Sequence, residues 1–174
     1  MLLILMRHGE AGEPDSRRWP DDRQRPLTDL GRREHARMAE ALRRMGVRFD
    51  RLLSSPLVRA RETAEITARA YGGAPAPELT DLLGDRAEPA ATLAGLAGVV
   101  ASALLCVGHE PTLSRLAGLL TSRDGSARIE MAKSGVAVIE CGDPVAPGRG
   151  LLRMHLRPPE LVGLLDGDTP AGAT

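Results

Sequence analysis

Aromatic residues and lysine are almost absent from this chain. Its 174 residues include one Trp, one Tyr and one Phe, and a single lysine, Lys133, stands beside 22 arginines. Three scattered aromatic rings cannot form the stacking surface on which single-stranded nucleic acids bind. The 23 basic residues are balanced by 23 acidic ones. The chain therefore also lacks the excess positive charge that gives a general affinity for nucleic acid, and we expect no nucleic-acid partner.

Cysteines and long apolar segments are scarce as well. Cys106 and Cys141 both lie in apolar runs, where two thiols are expected to pack as small hydrophobic side chains and not as a disulfide framework. The apolar run Met1–Met6 ends at Arg7 and is far too short for a signal sequence or a membrane span. No His, Cys or carboxylate set has ligand-like spacing, so we predict no metal and no other cofactor. We expect a cytoplasmic monomer without a membrane partner.

The rest of the composition is that of a globular protein with an aliphatic core. The chain is 43% hydrophobic and 26% charged, and its length suits one domain. Short apolar runs alternate with amphipathic segments, which is typical of a three-layer α/β/α sandwich around a mostly parallel sheet. We predict strands at Leu2–Met6, Arg51–Ser54, Ala103–Val107, Gly135–Cys141 and Leu151–Arg157, and helices at Thr28–Met45, Leu57–Tyr71, Glu88–Val100 and Thr112–Leu120. Residues 1–166 are assigned to a single domain, and residues 167–174 to a disordered tail.

Histidine and arginine residues follow the ends of three predicted strands. Arg7 and His8 follow the first strand, Arg59 lies just beyond the second, and His109 follows the third. Ligands of open α/β sheets bind beyond the carboxyl ends of the strands, so these four side chains are expected to meet. An imidazole can form a covalent phosphohistidine, while two guanidinium groups and a second imidazolium can stabilise the phosphoryl oxygens. The set therefore favours phosphoryl transfer.

Four motifs, in order along the chain, carry a resemblance to a known family. They are Leu5–Glu10 with its Arg-His-Gly, Pro26–Gly31, Leu53–Ala64 and Val107–Pro111. Together they resemble the histidine phosphatase superfamily, which has the phosphoglycerate mutase-like fold. The resemblance implies a metal-independent phosphatase in which His8 is the nucleophile that becomes phosphorylated. It also implies that Arg7, Arg59 and His109 bind the phosphoryl group.

The proton donor to the leaving group is left open by this resemblance. In the mutase-like branch the donor is a carboxylate between the second and third strands, where Asp81 is the nearest match. In the acid-phosphatase branch it directly follows the second histidine, which is Glu110 here. Glu10 is a third candidate. A phosphohistidine substrate has an imidazole leaving group, which needs less help from a dedicated acid.

The short chain bears on the choice of substrate. About 50 residues separate Arg59 from His109, which leaves little material for a lid over the pocket. The sequence is most similar to the short phosphohistidine phosphatases of the SixA type, and the expected substrate is phosphohistidine on a protein. A phosphatase or mutase for a small phosphomonoester, such as a sugar phosphate, is the alternative. A noncatalytic phosphoprotein-binding module is an alternative of another class.

Three further polar residues are left outside the predicted site. His35 is expected on a solvent-exposed face of the first helix, and His155 is expected to be a structural residue of a strand. Arg25 could reach a substrate phosphate from the long loop before the first helix, but it is not assigned to the site.

Overall fold

The computed structural model describes residues 1–72 and 75–158, so the predicted tail at 167–174 lies outside the described residues. Two short 3₁₀ helices, Asp22–Gln24 and Asp81–Leu83, interrupt the loops. The helices and strands follow one another along the chain as β1 (Leu2–Arg7), α1 (Asp29–Arg44), β2 (Arg51–Ser54), α2 (Val58–Ala70), β3 (Glu78–Leu79), α3 (Pro89–Ala97), β4 (Ala103–Gly108), α4 (Thr112–Thr121), β5 (Val136–Cys141) and β6 (Gly150–Leu156).

All six strands form one mixed sheet in the order β3-β2-β4-β1-β5-β6. The four strands from β3 to β1 in this order are parallel, whereas β5 pairs antiparallel with β1 and with β6. The two predicted strands nearest the C-terminus, which pair with each other, thus form the antiparallel end of the sheet. The predicted fold class, an α/β/α sandwich with a mostly parallel sheet, is confirmed.

Strand β1 shows how the sheet separates two cores. Successive side chains of a strand point to opposite faces. Leu3 and Leu5 therefore join the cluster that contains the buried leucines of α3 and α4. Ile4 and Met6 join the other cluster, which contains the apolar side chains of α1 and α2. Because β1 is buried on both faces, its sequence is a continuous apolar run instead of an alternating one.

Helix α1 begins and ends close to where the sequence predicts. The Thr28 side chain accepts a hydrogen bond from the backbone N–H of Gly31 at 2.9 Å, which satisfies one of the free donors of the first turn. Gly46 follows the helix with a φ of 80°, a backbone conformation that favours glycine. Helix α3 is shorter than predicted and ends at Ala97, before Gly98.

Two further features differ from the expectations drawn from the sequence. Strand β3 was not predicted, because two exposed residues paired with Leu53 and Ser54 carry no periodicity. The prediction of a solvent-exposed His35 is wrong, since its side chain is fully buried between α1 and α2. It can be buried because hydroxyl groups of Thr67 and Ser134 lie within hydrogen-bond distance of its two ring nitrogens. No helix within the described residues is long and apolar enough to cross a membrane.

Candidate active site

The carboxyl ends of β1, β2 and β4 meet at one edge of the sheet. Strand β4 lies between the other two and is parallel to both, so the residues that follow these strands face one another. A cavity of about 270 Å³ opens at this edge. Its lining contains all four side chains that the strand-end argument singles out, namely Arg7, His8, Arg59 and His109. The structure thus brings the predicted site residues together.

His8 lines this cavity, and only one of its two ring nitrogens has a hydrogen-bond partner within the part of the chain that the structure describes. Its Nδ1 lies 2.7 Å from the carbonyl oxygen of Gly9. A carbonyl oxygen can only accept a hydrogen bond, so Nδ1 carries the proton and Nε2 of the neutral ring has a free lone pair. Burial, together with the nearby positive charges of Arg59, Arg7 and Arg25, lowers the pKa of His8 to about 3. The ring is therefore neutral at pH 7, the form in which an imidazole is nucleophilic.

His109 faces His8 from the end of β4. The two ring centroids are 5.0 Å apart, and the Nε2 of His109 lies 2.8 Å from the Ser55 hydroxyl oxygen. Its Nδ1 is buried without a hydrogen-bond partner among the described residues. Burial, with His8 and Arg59 nearby, lowers the pKa of His109 to about 2. The chain by itself thus holds this ring neutral, and the imidazolium of the sequence analysis requires the negative charge of a phosphoryl group to form.

Two guanidinium groups approach the histidines from different elements. Arg59 lies in the first turn of α2, and its Nη1 donates to the backbone oxygen of Asp22 at 2.9 Å. Arg7 ends β1, and its Nη1 donates to the backbone oxygen of Met131 at 2.9 Å. Within the part of the chain that the structure describes, the Nε atoms of both arginines are buried without a hydrogen-bond partner. Buried donors of this kind are normally satisfied, and a phosphoryl oxygen is a matching acceptor.

Arg25 and Lys133 also line the cavity, although neither was assigned to the site from the sequence. Arg25 is only 7% exposed and donates to Asp22 at 2.6 Å and to the Gly12 backbone oxygen at 2.6 Å. The Nζ of Lys133 lies 2.6 Å from a carboxylate oxygen of Glu10. The sequence signal for Arg25 was its place directly before the Pro26–Gly31 motif. Lys133 carried no signal beyond being the only lysine.

The carboxylates proposed as proton donors lie in different surroundings. Glu110 lines the cavity, its Oε2 accepts a hydrogen bond from Ser114, and burial raises its pKa. Asp81 lines a separate cavity at the start of a 3₁₀ helix. Burial alone would raise the pKa of Glu10, but hydrogen bonds from Lys133 and Gly12 lower it below its ordinary value. Glu10 is therefore held as a carboxylate. Asp85 lines the cavity as well and was not singled out from the sequence.

The remaining predictions concern His155 and metal ions. His155 lies exposed in β6, and its Nε2 is 3.0 Å from the backbone oxygen of Glu130. It does not line the cavity. Among residues 1–72 and 75–158, no group of three or more His, Cys, Asp or Glu side chains is placed to hold a metal ion.

Comparisons with known proteins agree with this geometry. The model of the histidine phosphatase superfamily (branch 1) matches residues 3–88. An uncharacterised protein of Picosynechococcus is 34% identical over 145 residues, which cover 82% of this chain and 86% of that protein. The structure of the protein histidine phosphatase SixA complexed with tungstate has a TM-score of 0.79 and 26% identity, covering 92% of this chain and 99% of that one.

A second solved structure belongs to a candidate phosphohistidine phosphatase SixA from Nakamurella. It has a TM-score of 0.73 and 28% identity, and it covers 90% of this chain and 95% of that one. The matched family, the shared fold and the cluster at the strand ends lead to one conclusion. This chain belongs to the histidine phosphatase superfamily and is a phosphatase.

Proposed function

We propose that this phosphatase hydrolyses phosphohistidine on proteins, without a metal ion, through a covalent intermediate on His8. The observation that carries the proposal is the lone pair on Nε2 of His8, close to the Nε atoms of Arg7 and Arg59, which are buried without a hydrogen-bond partner among the described residues. A nucleophile and the donors for a phosphoryl group thus share one small cavity. The likeness to the SixA structures supports the choice of substrate.

The first step transfers the phosphoryl group to His8. The Nε2 lone pair attacks phosphorus, the bond from phosphorus to the leaving group breaks, and its electron pair stays on the leaving atom, which takes up a proton. The positive charge that the ring gains is stabilised by the hydrogen bond from Nδ1 to the Gly9 oxygen. Arg7, Arg59 and His109 stabilise the phosphoryl oxygens.

The second step returns the enzyme to its starting form. Water attacks the phosphorus of phosphorylated His8, the phosphorus–nitrogen bond breaks, and inorganic phosphate leaves. The water gives up a proton during the attack, and the carboxylate that protonated the leaving group is available to accept it. His8 recovers its lone pair on Nε2.

Glu110 is our choice for that carboxylate over Asp81 and Glu10. It lines the cavity, and its raised pKa keeps a larger fraction of the carboxyl protonated near neutral pH. Asp81 lines another cavity, and Glu10 is bound to Lys133. The buried Oε1 of Glu110 has no hydrogen-bond partner among the described residues, so no other contact competes for its proton.

The size of the cavity is compatible with a substrate carried on a protein. At about 270 Å³ it lies just below the usual range for small-molecule sites, which is about 300–1,000 Å³. A phosphoryl group and the imidazole ring that carries it fit this volume, and the rest of a protein substrate remains outside.

A substrate panel tests the proposal. We expect kcat/KM for a phosphohistidine peptide to exceed that for glucose 6-phosphate by about 100-fold or more, because imidazole is a much better leaving group than the sugar alkoxide. Activity should survive a strong chelator, and His8→Ala is the inactive control. Faster turnover of a small ester would contradict the proposed substrate, and binding without turnover would favour a phosphoprotein-binding module.

A further inference from the structure

A buried polar network lies behind the nucleophile, between α1, α2 and the loop before β5. Its side chains are His35, Thr63, Thr67 and Ser134, and each is less than 5% exposed. None of them lines the cavity, and the proposed reaction uses none of them. A buried polar cluster among apolar helices is expensive to maintain unless its members are fully hydrogen-bonded, so what it connects is informative.

His35 is the centre of this network. Its side chain is 0% exposed, its Nε2 lies 2.9 Å from Thr67 Oγ1, and its Nδ1 lies 3.0 Å from Ser134 Oγ. Burial lowers the pKa of His35 to about 4, so the ring is neutral at pH 7. A neutral imidazole has one donor and one acceptor, and both are used here.

The direction of each hydrogen bond follows from the neighbours. Thr67 Oγ1 lies 3.0 Å from the backbone oxygen of Thr63, which can only accept, and 3.6 Å from the weaker acceptor Met6 Sδ. The Thr67 hydroxyl therefore donates to Thr63 and accepts from the Nε2–H of His35. The Nδ1 of His35 then accepts from the hydroxyl of Ser134. This assigns the Nε2–H tautomer to His35 and the Nδ1–H tautomer to His8.

Both branches of the network end on the same peptide unit, the one that joins His8 to Gly9. On one side, the backbone N–H of Ser134 donates to the carbonyl oxygen of His8 at 3.2 Å. On the other, the N–H of Gly9 donates to Thr63 Oγ1 at 3.0 Å, and that hydroxyl donates to the backbone oxygen of Arg59 at 2.7 Å. The orientation of this peptide fixes where the His8 backbone and its imidazole ring point.

We infer that His35 is a positioning residue that clamps the His8–Gly9 peptide and so aims the nucleophile, an inference that rests on the proposed function of His8. The branch through Ser134 holds the carbonyl side, and the branch through Thr67 and Thr63 holds the amide side and the backbone of Arg59. Small displacements of a nucleophile reduce the rate of attack more than they reduce substrate binding, because orientation is a large part of the rate enhancement. The expected signature is a fall in kcat with KM nearly unchanged.

Two conservative variants separate the branches. His35→Asn places an amide near the position of Nδ1 and retains the contact to Ser134, whereas His35→Gln reaches the position of Nε2 and retains the contact to Thr67. His35→Leu retains neither. We expect kcat to fall about 100-fold in the Leu variant and about 10-fold in each amide variant, with KM within about 3-fold of the wild type. Ser134→Ala and Thr67→Val each remove the hydroxyl group of one branch and should each lower kcat as the corresponding amide variant does. These two variants provide the test if a His35 variant does not fold.

Thr92→Val is the matched control. Thr92 is 0% exposed and, like Thr67, donates its hydroxyl to a backbone oxygen, but it lies in α3 on the opposite face of the sheet. Its loss should leave kcat unchanged. Folded Asn, Gln, Ser134→Ala and Thr67→Val variants with wild-type kcat would overturn the inference, as would an equal loss in Thr92→Val.

A spectroscopic measurement distinguishes failure of this inference from failure of the proposed function. Nitrogen NMR of the ring atoms should show His8 as the Nδ1–H tautomer in the wild type and a mixture of tautomers in His35→Leu. If the wild type hydrolyses no phosphorylated substrate, the proposed function is wrong, while this change in the His8 spectrum still supports the clamp. An unchanged His8 spectrum in folded His35→Leu would overturn the clamp, whatever the substrate is.

Discussion

The two helical layers of this protein bury different kinds of side chain against the same sheet. The layer of α3 and α4 is aliphatic, with leucines at five buried positions: Leu93, Leu96, Leu113, Leu116 and Leu120. The layer of α1 and α2 also buries apolar side chains, but it adds His35, Thr63 and Thr67 from the network that ends on the His8–Gly9 peptide. The buried hydroxyl groups of the first layer, those of Thr92 and Thr112, each bond to a backbone oxygen, whereas the polar side chains of the second layer form a connected network.

This difference shows where geometry is set in the active site. Apolar contacts have no preferred direction and tolerate small shifts, while hydrogen bonds fix the atoms that they join. Arg59 and the His8–Gly9 peptide, which need fixed directions, are held from the polar layer. The aliphatic layer contributes His109 and Glu110 through the loop that leads into α4. We therefore expect substitutions in the two layers to have separable effects on stability and on catalysis.

The largest kinetic effect of a substitution in the aliphatic layer is expected at Glu110, which lines the cavity at the start of α4. Glu110→Gln should lower kcat for glucose 6-phosphate by about 100-fold or more, the usual contribution of a general acid, because an alkoxide leaving group must be protonated. The loss for a phosphohistidine peptide should be smaller, because an imidazole leaving group needs less protonation than an alkoxide. Because the pKa of Glu110 is raised, the ester rate of the wild type should fall as pH rises through that pKa. This pH-dependence should be absent from the variant.

Asp81→Asn is the matched control for this experiment. It makes the same change of acid to amide in the other candidate, which lines a different cavity. Its pH–rate profile and kcat should match those of the wild type. If Asp81→Asn lost as much ester activity as Glu110→Gln, the assignment of the proton donor would be wrong.

The next effect, on stability, is expected from Leu120→Ala in the aliphatic layer. Leu120 is 0% exposed and lies near the end of α4 that is farther from the cavity. The truncation should lower the free energy of unfolding by about 2–5 kcal/mol, because it removes buried apolar surface and leaves a cavity. Urea denaturation measures the loss, and kcat below the unfolding transition should remain within about 2-fold of the wild type.

Leu42→Ala extends this test to the other layer. Leu42 is also 0% exposed and lies seven residues after His35 in the same helix. It should destabilise the protein by a similar amount and again leave kcat unchanged. If kcat falls as far in Leu42→Ala as in the His35 variants, the proposed separation of stability from catalysis is wrong. Any disturbance of α1 would then lower kcat, whether or not it breaks the hydrogen-bond network.

The fold and the cluster at the strand ends could be predicted because local sequence carries them. The apolar run of β1 and the caps of α1 are local signals, and the position of Arg7, His8 and His109 after apolar strands follows from the topology of parallel sheets. The hydrogen bonds of the buried network, in contrast, join residues that are far apart in the sequence. Nothing near His35 in the sequence shows that Ser134, 99 residues away, supplies its partner.

The same reason explains the other omissions. Arg25 and Lys133 lie in loops, and their approach to the cavity depends on how those loops cross the strand ends. The choice between Asp81 and Glu110 depended on which of two loops faces His8, and spacing along the chain does not encode that direction. Long-range contacts such as these become visible only once the chain is folded.

The most direct test of the account is to trap the phosphorylated enzyme. A brief incubation with a radiolabelled phosphohistidine peptide, quenched in base and digested, should leave an acid-labile label on the peptide that contains His8. The label should be absent from His8→Ala, in which turnover is also lost. An acid-stable label, a label on another residue, or full turnover by His8→Ala would contradict the proposal that His8 is the nucleophile.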